Sequence, residues 1–188
     1  MKIILGSGSR SRQLVFEEAE VEFDVLTADI DEKVIRDSDP RKLVLKLAHA
    51  KADAILSKII DPAILVTADQ VTVWNGEIRE KPESPEQARQ WLSEYHGMPL
   101  EIINGLVVVN TETGKRAEGI DVSNIYFKQI SAEAIEQAIE DGRILACAGA
   151  MRVEDKPLSD FVTQMEGTFD STSGMPLALT RRLMELVV

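Results

Sequence analysis

A mixed α/β fold is predicted by three features of the sequence. Short β-branched runs bounded by Gly, Asn, Asp or Pro recur along the chain, and segments with apolar residues three and four apart alternate with them. Two long β-rich runs, Leu100 to Asn110 and one ending in Asn124-Ile125-Tyr126-Phe127, flank a Thr113-Gly114 turn and read as a central antiparallel pair. A length of 188 residues suits one domain over residues 1–188, with room for two lobes about a cleft.

The elements follow in order. Ile3 to Leu5 is a first strand, and Gly6-Ser7-Gly8-Ser9-Arg10-Ser11-Arg12 is a Gly/Ser loop entering a helix that runs to Glu20. Such a loop is a plausible anion cradle: glycines permit close backbone approach, hydroxyls and helix N-terminal amides donate, and Arg10 or Arg12 can fork onto phosphate oxygens. A capped helix with a solvated basic turn fits the same residues. A dinucleotide fingerprint needs a third glycine where Ser11 stands, and a Walker A loop needs Gly-Lys-Ser/Thr; neither is present. Phe23 to Leu26 alternates like a strand and opens into Asp29-Ile30-Asp31-Glu32, which is either a source of a Mg²⁺ ligand or a solvated acidic loop. Asp39-Pro40 caps a helix to Ile60, with Leu43, Leu47, Ala50, Ala54 and Ile55 inward and Lys51 in an alanine-rich turn that lets it approach another element closely.

Ala63 to Val66 is an apolar strand with Asp69 at its carboxyl end, and Val71 to Trp74 leads through an Asn75-Gly76 hairpin turn to Glu77–Glu80 and Lys81. Asp69 and Lys81 are thereby expected to face one cleft, an acid for a divalent cation beside an ammonium for phosphate. An edge hairpin with a solvated Asp and Lys suits this stretch equally well. Ser84-Pro85 starts a helix to Tyr95 whose stripe is Ala88, Trp91, Leu92 and Tyr95, and Ser131 starts another with Ala134, Ile135, Ala138 and Ile139 inward, stopped at Gly142. A mixed segment then reaches Met165, a loop spans Gly167 to Pro176, and a last helix runs from Leu177 to Val187.

Composition narrows the function classes. With 44% hydrophobic and 28% charged residues the chain is globular throughout. A net charge of −11 argues against duplex nucleic acid or an anionic membrane as partner, since both need a broad basic face. A polyanionic small substrate remains open if cations are concentrated locally and a metal screens it. No apolar run approaches membrane-spanning length and no targeting segment is visible, and the lone Cys147 suits a reducing, cytoplasmic setting. His49 and His96 lack the spacing of zinc ligands.

Taken together, Gly6-Ser7-Gly8-Ser9-x-x-Arg12, Asp29-Ile30-Asp31-Glu32, Ala50-Lys51-Ala52, Thr67-Ala68-Asp69-Gln70, Glu80-Lys81-Pro82, Ala148-Gly149-Ala150 and Gly174-Met175-Pro176-Leu177 resemble the Maf family. That family groups with the inosine-triphosphate-pyrophosphatase-like proteins, and the resemblance spans nearly the whole chain. It implies an elongated mixed sheet flanked by helices, two lobes with a cleft, and a homodimer. The implied activity is hydrolysis of a nucleoside triphosphate, pyrimidine or modified, to monophosphate and pyrophosphate with Mg²⁺ or Mn²⁺; the family is also associated with arrest of septum formation. The resemblance gives Ser7, Ser9, Arg12, Lys51 and Lys81 to the phosphates, and Asp69 and Glu32 to the metal or the attacking water, with Asp69 the chief catalytic acid.

Three departures stand out. The family's Ser-Pro-Arg-Arg reads Ser9-Arg10-Ser11-Arg12, which leaves one arginine out of place and Arg10 as its candidate substitute. The family's Gly-Ala-Asp-Thr reads Thr67-Ala68-Asp69-Gln70, and a late glutamine aligns with Glu154, changes that resemble the plant-like branch of the family. Base preference stays open among contacts such as Trp74, Met151 and Phe169. A non-catalytic nucleotide sensor that regulates division through a partner is the alternative; turnover separates the two. A Rossmann-type oxidoreductase fails on the missing third glycine.

Overall fold

Three helices of this chain begin where a side chain closes the first turn. Asp39 accepts from the amides of Arg41 and Lys42, Ser84 from Gln87 and Ser131 from Ala134, with proline at the first helical position after Asp39 and Ser84. The computed structural model describes all of residues 1–188. Its elements are β1 (Lys2–Leu5), α1 (Arg10–Glu18), β2 (Asp24–Val25), α2 (Pro40–Leu56), β3 (Ala63–Trp74), β4 (Glu77–Arg79), α3 (Pro85–Glu94), β5 (Leu100–Asn110), β6 (Arg116–Phe127), α4 (Ala132–Asp141), β7 (Val162–Glu166), α5 (Phe169–Thr172) and α6 (Leu177–Val187). Short 3-10 turns occupy Glu32–Val34, Arg143–Ala146, Ala148–Ala150 and Leu158–Phe161.

The seven strands form one mixed sheet in the order β2-β1-β3-β5-β6-β7, with β4 paired to β3 off that path. β1 is parallel to both β2 and β3, whereas β4 is antiparallel to β3 and β7 antiparallel to β6. The Asn75-Gly76 turn forms as predicted: both residues have positive φ (49° and 79°) and Trp74 pairs with Glu77.

Several boundaries differ from the sequence expectation. Asp69 lies inside β3 rather than at a strand end, because Thr67 to Gln70 contain neither glycine nor proline and the two apolar runs fuse around a carboxylate that pairs with Lys51. The helix expected to reach Ile60 stops at Leu56, and its inward stripe is Leu43, Val44, Leu47, Ala48, Lys51, Ala52 and Ile55, leaving Ala50 and Ala54 half-buried. The first helix stops at Glu18 rather than Glu20, and the segment before Met165 contains β7. Ile139 is half-buried beside its buried neighbours.

The chain divides into two units. The first comprises Met1–Gln70, Asn104–Asp121 and Ser173–Val188, the second Val71–Ile103 and Val122–Thr172, and β3, β5 and β6 each contribute residues to both. In the first unit the strand alternation separates two cores. Ile64, Val66, Ala68, Leu106 and Val108 pack with α1 and α6 residues such as Phe16 and Leu183. Ala63, Leu65, Val107 and Val109 pack with Ala48, Ala52 and Ile55 of α2. The second unit is built around Trp74, Trp91, Leu92, Tyr95, Ile125, Phe127 and Ile135. No helix is long and apolar enough to cross a membrane.

Candidate functional site

The site of the first unit exists because β1 is shorter than β3. β1 ends at Leu5 opposite Val66, and β4 pairs with β3 only from Thr72 onward, so the stretch of β3 from Thr67 to Val71 meets neither of them. Gly6 makes the exit possible: its amide donates to Val66 O at 2.7 Å, and a Cβ there would lie 2.5 Å from Thr67 Cγ2 and 2.8 Å from Ile55 Cδ1. The Gly/Ser loop then turns into α1, with Ser7 buried and its Oγ accepting from the Ser9 amide at 3.3 Å.

Arg12, in the first turn of α1, reaches the stretch of β3 beyond the end of β1. Its Nη1 donates to Ala68 O (2.8 Å) and to Ser7 Oγ (3.1 Å), and its Nε donates to Gly174 O (3.0 Å). Burial lowers the proton affinity of this guanidinium from its ordinary value, and the charges of Asp69 and Glu32 act in the opposite direction.

Alternation places Thr67 and Asp69 on the face of β3 that meets α2. Thr67 Oγ1 donates to Ala48 O at 2.8 Å, and Lys51, three residues along α2 from Ala48, aims its Nζ at Asp69 Oδ1. The same ammonium meets Glu32 Oε1 at 3.1 Å. The Lys51 and Asp69 side chains are each 11% exposed, whereas that of Glu32 is 51% exposed, so the triad opens to solvent on its Glu32 side. Ala48 and Ala52, both fully buried, let the lysine stem lie against the sheet. Five residues singled out from sequence, Ser7, Arg12, Glu32, Lys51 and Asp69, thus converge in one unit. Ser9 stands at the N-cap of α1 with a hydroxyl that caps no amide.

Lys81 belongs to the second unit, where it is exposed beside a hydrogen-bonded backbone. The carbonyl of the preceding residue, Glu80, accepts from Gly149 N at 2.9 Å, and Tyr95 Oη donates to Gly149 O at 2.9 Å. A Cβ on Gly149, at φ 61°, would stand 2.3 Å from Thr72 Oγ1. The glycine of Ala148-Gly149-Ala150 is therefore a packing requirement.

Arg10, the candidate substitute for the missing arginine, forks onto Glu17 two turns along α1 at 2.6 and 2.9 Å. Gln70 donates to Asn104 Oδ1 (3.1 Å), which in turn donates through Nδ2 to Asp121 Oδ2 (3.3 Å). Glu154 pairs with Arg152 at 3.4 Å. Sequence reasoning missed Asn104 and the Gly174 carbonyl, neither of which carries a charge or a periodic signal. It also passed over Arg79 in the second unit. That buried guanidinium pairs with Glu94 and lies 5.3 Å from the ring centres of both Trp91 and Tyr95, while its Nε and Nη1 have no acceptor.

Asp69 and Glu32 supply two hard oxygen donors, and no cluster of three or more His, Cys, Asp or Glu suited to a metal forms. Two carboxylates suit Mg²⁺ or Mn²⁺ held jointly with substrate phosphate and water, and do not suit a structural zinc site.

Residues 2–187 match the family model described as Maf-like protein. A 7-methyl-GTP pyrophosphatase of Dictyostelium discoideum is 42% identical, over 98% of this chain and 96% of its own length. Another 7-methyl-GTP pyrophosphatase, from Idiomarina loihiensis, is 36% identical over 86% of this chain and 82% of its own. A dTTP/UTP pyrophosphatase of Alkaliphilus metalliredigens is 32% identical over 94% of this chain and 91% of its own.

Proposed function

The chain belongs to the Maf-like family, and from that premise we propose that residues 1–188 act as one domain hydrolysing a nucleoside triphosphate to its monophosphate and pyrophosphate. The observation that carries the reading is the buried ammonium of Lys51 between Asp69 and Glu32, beside the guanidinium of Arg12. Cations and carboxylates held together at low exposure suit a reaction in which phosphate charge must be neutralised while a water is activated.

Water attacks the α-phosphorus, the bond to the α–β bridging oxygen breaks, and pyrophosphate departs. Asp69 accepts the proton of the attacking water through the oxygen that Lys51 does not hold. Lys51 steadies that carboxylate and balances negative charge on the departing phosphates, a task that the family resemblance also gives to Lys81. The Gly6–Ser9 loop offers hydroxyls and the N-terminal amides of α1 to phosphate oxygens. Asp69 and Glu32 are the residues to hold a divalent cation, which when bound screens the triphosphate and lowers the proton affinity of water.

The relatives named above differ in substrate, and the identity gradient supports a 7-methylated guanine nucleotide as the preferred one. The test is pyrophosphate release from 7-methyl-GTP, GTP, ATP, UTP and dTTP with Mg²⁺ or Mn²⁺. Pyrophosphate and monophosphate in equal amounts, formed fastest from 7-methyl-GTP, are expected. Inorganic phosphate alone, or no product, would overturn the activity; preference for a pyrimidine would overturn the base assignment only. By family resemblance the protein is taken to be a cytoplasmic homodimer, which light scattering tests as a mass twice the 20.8 kDa of one chain.

A further inference from the structure

We propose that Arg12 is a positioning residue that locks three distant segments of the first unit together and so sets the Asp69 carboxylate, rather than chiefly a gripper of phosphate. This rests on the reading of Asp69 as the group that takes the water proton. An arginine that clamps a phosphate presents two nitrogens of its planar fork to the ligand. Here Nη1 and Nε are both committed to protein acceptors, at Ser7, Ala68 and Gly174, and the side chain is buried. Only Nη2 is left without a protein acceptor, so the fork is already occupied.

The acceptors explain why the bond set matters. Ala68 O sits on the stretch of β3 that β1 is too short to pair, and a buried carbonyl without a partner is costly. Arg12 supplies that partner one residue from Asp69 and thereby fixes the strand at the point where Asp69 meets Lys51. The bond to Gly174 O draws in the loop before α6, and there the fit is close: Gly174 has φ 90°, and a Cβ on it would stand 3.0 Å from Arg12 Nε. Three motifs far apart in sequence, at Ser7, Ala68-Asp69 and Gly174-Met175-Pro176, are joined by one side chain. Lysine has the same charge but one nitrogen, and cannot hold three acceptors in these directions.

The experiment measures kcat and KM for pyrophosphate release in Arg12→Lys, Gly174→Ala, Asp69→Asn and the Arg12→Lys/Asp69→Asn pair, with thermal melting of each. Arg12→Lys is expected to lower kcat about 100-fold with KM changed less than about 3-fold, as for a misplaced reacting group. In the Asp69→Asn background the same substitution is expected to cost almost nothing further. Gly174→Ala alters no charge and no phosphate-facing residue, and is expected to lower kcat while leaving KM in place, which keeps the proposal testable should Arg12→Lys fail to fold. A raised KM with kcat retained in Arg12→Lys, equal costs in the two backgrounds, or an unchanged kcat in Gly174→Ala would each overturn the positioning role. Full activity in Asp69→Asn would instead refute the reading of Asp69 and the positioning role with it, an outcome distinguishable because it appears without any change at Arg12.

Discussion

Replacing Lys51 by methionine keeps the length of the side chain and removes its charge, leaving Asp69 nine-tenths buried without its ammonium. The Lys51–Asp69 pair is 11% exposed on both sides and is shared with a half-exposed Glu32. Removing one partner of a buried pair costs about 3–5 kcal/mol, mostly as the penalty of the stranded charge. The cationic Arg12 nearby and the solvent reaching Glu32 place this case at the low end, about 3 kcal/mol. At this chain length that corresponds to a fall in Tm of about 6–12 °C. Asp69→Asn strands the ammonium instead, but Glu32 still pairs with it, so the loss is smaller, about 1–2 kcal/mol. The double variant carries neither stranded charge, and its cost is expected to fall short of the sum by at least about 1.5 kcal/mol. Urea and thermal unfolding at pH 7 supply the four numbers. Lys51→Met within about 0.5 kcal/mol of native, or strict additivity, would refute the claim that the two charges are mutually dependent.

Other expectations follow from the same geometry. Gly6→Ala forces a Cβ against Thr67 and Ile55 and is expected to destabilise by about 1–3 kcal/mol in a thermal melt, the range for overpacking. Tyr95→Phe leaves the carbonyl of Gly149 without its donor, at a cost of about 1–3 kcal/mol in urea unfolding. The phenol itself is pushed up to about 12, first by burial, so its ultraviolet titration in the folded protein should begin well above that of free tyrosine. Burial likewise raises the Cys147 thiol, with Arg152 opposing the shift only in part. Its thiolate fraction at pH 8 is therefore below that of a free thiol, and alkylation should be slower than for a small-molecule thiol and accelerate only at higher pH.

What was legible in the sequence was local. Asp39, Ser84 and Ser131 announce their helices because a cap is a contact between neighbours in the chain, and Asn75-Gly76 announces its turn because backbone dihedral preference is a property of the residues themselves. The fusion of β3 through Asp69 was not legible, since a carboxylate in mid-strand runs against β propensity until the lysine it meets is known. β7 was hidden for a related reason: Val162–Glu166 is largely polar and exposed, and pairing with β6 alone makes it a strand. Ordered motifs singled out Ser7, Ser9, Arg12, Glu32, Lys51, Asp69 and Lys81, of which all but Lys81 lie in the first unit. That Arg12 faces carbonyls, that Arg10 turns to Glu17, and that Gln70 reaches Asn104 depend on which elements the fold brings side by side.

The central claim is that the carboxylate of Asp69 activates water against a nucleoside triphosphate. Its most direct test is pyrophosphate release by the native chain and Asp69→Asn, side by side, with nucleotide binding and melting measured on both. The account predicts binding retained, a modest loss of stability and a fall in kcat of about 100-fold or more, the scale of a missing general base. Pyrophosphate release by Asp69→Asn at the native rate, from a protein that binds nucleotide equally well, would contradict it.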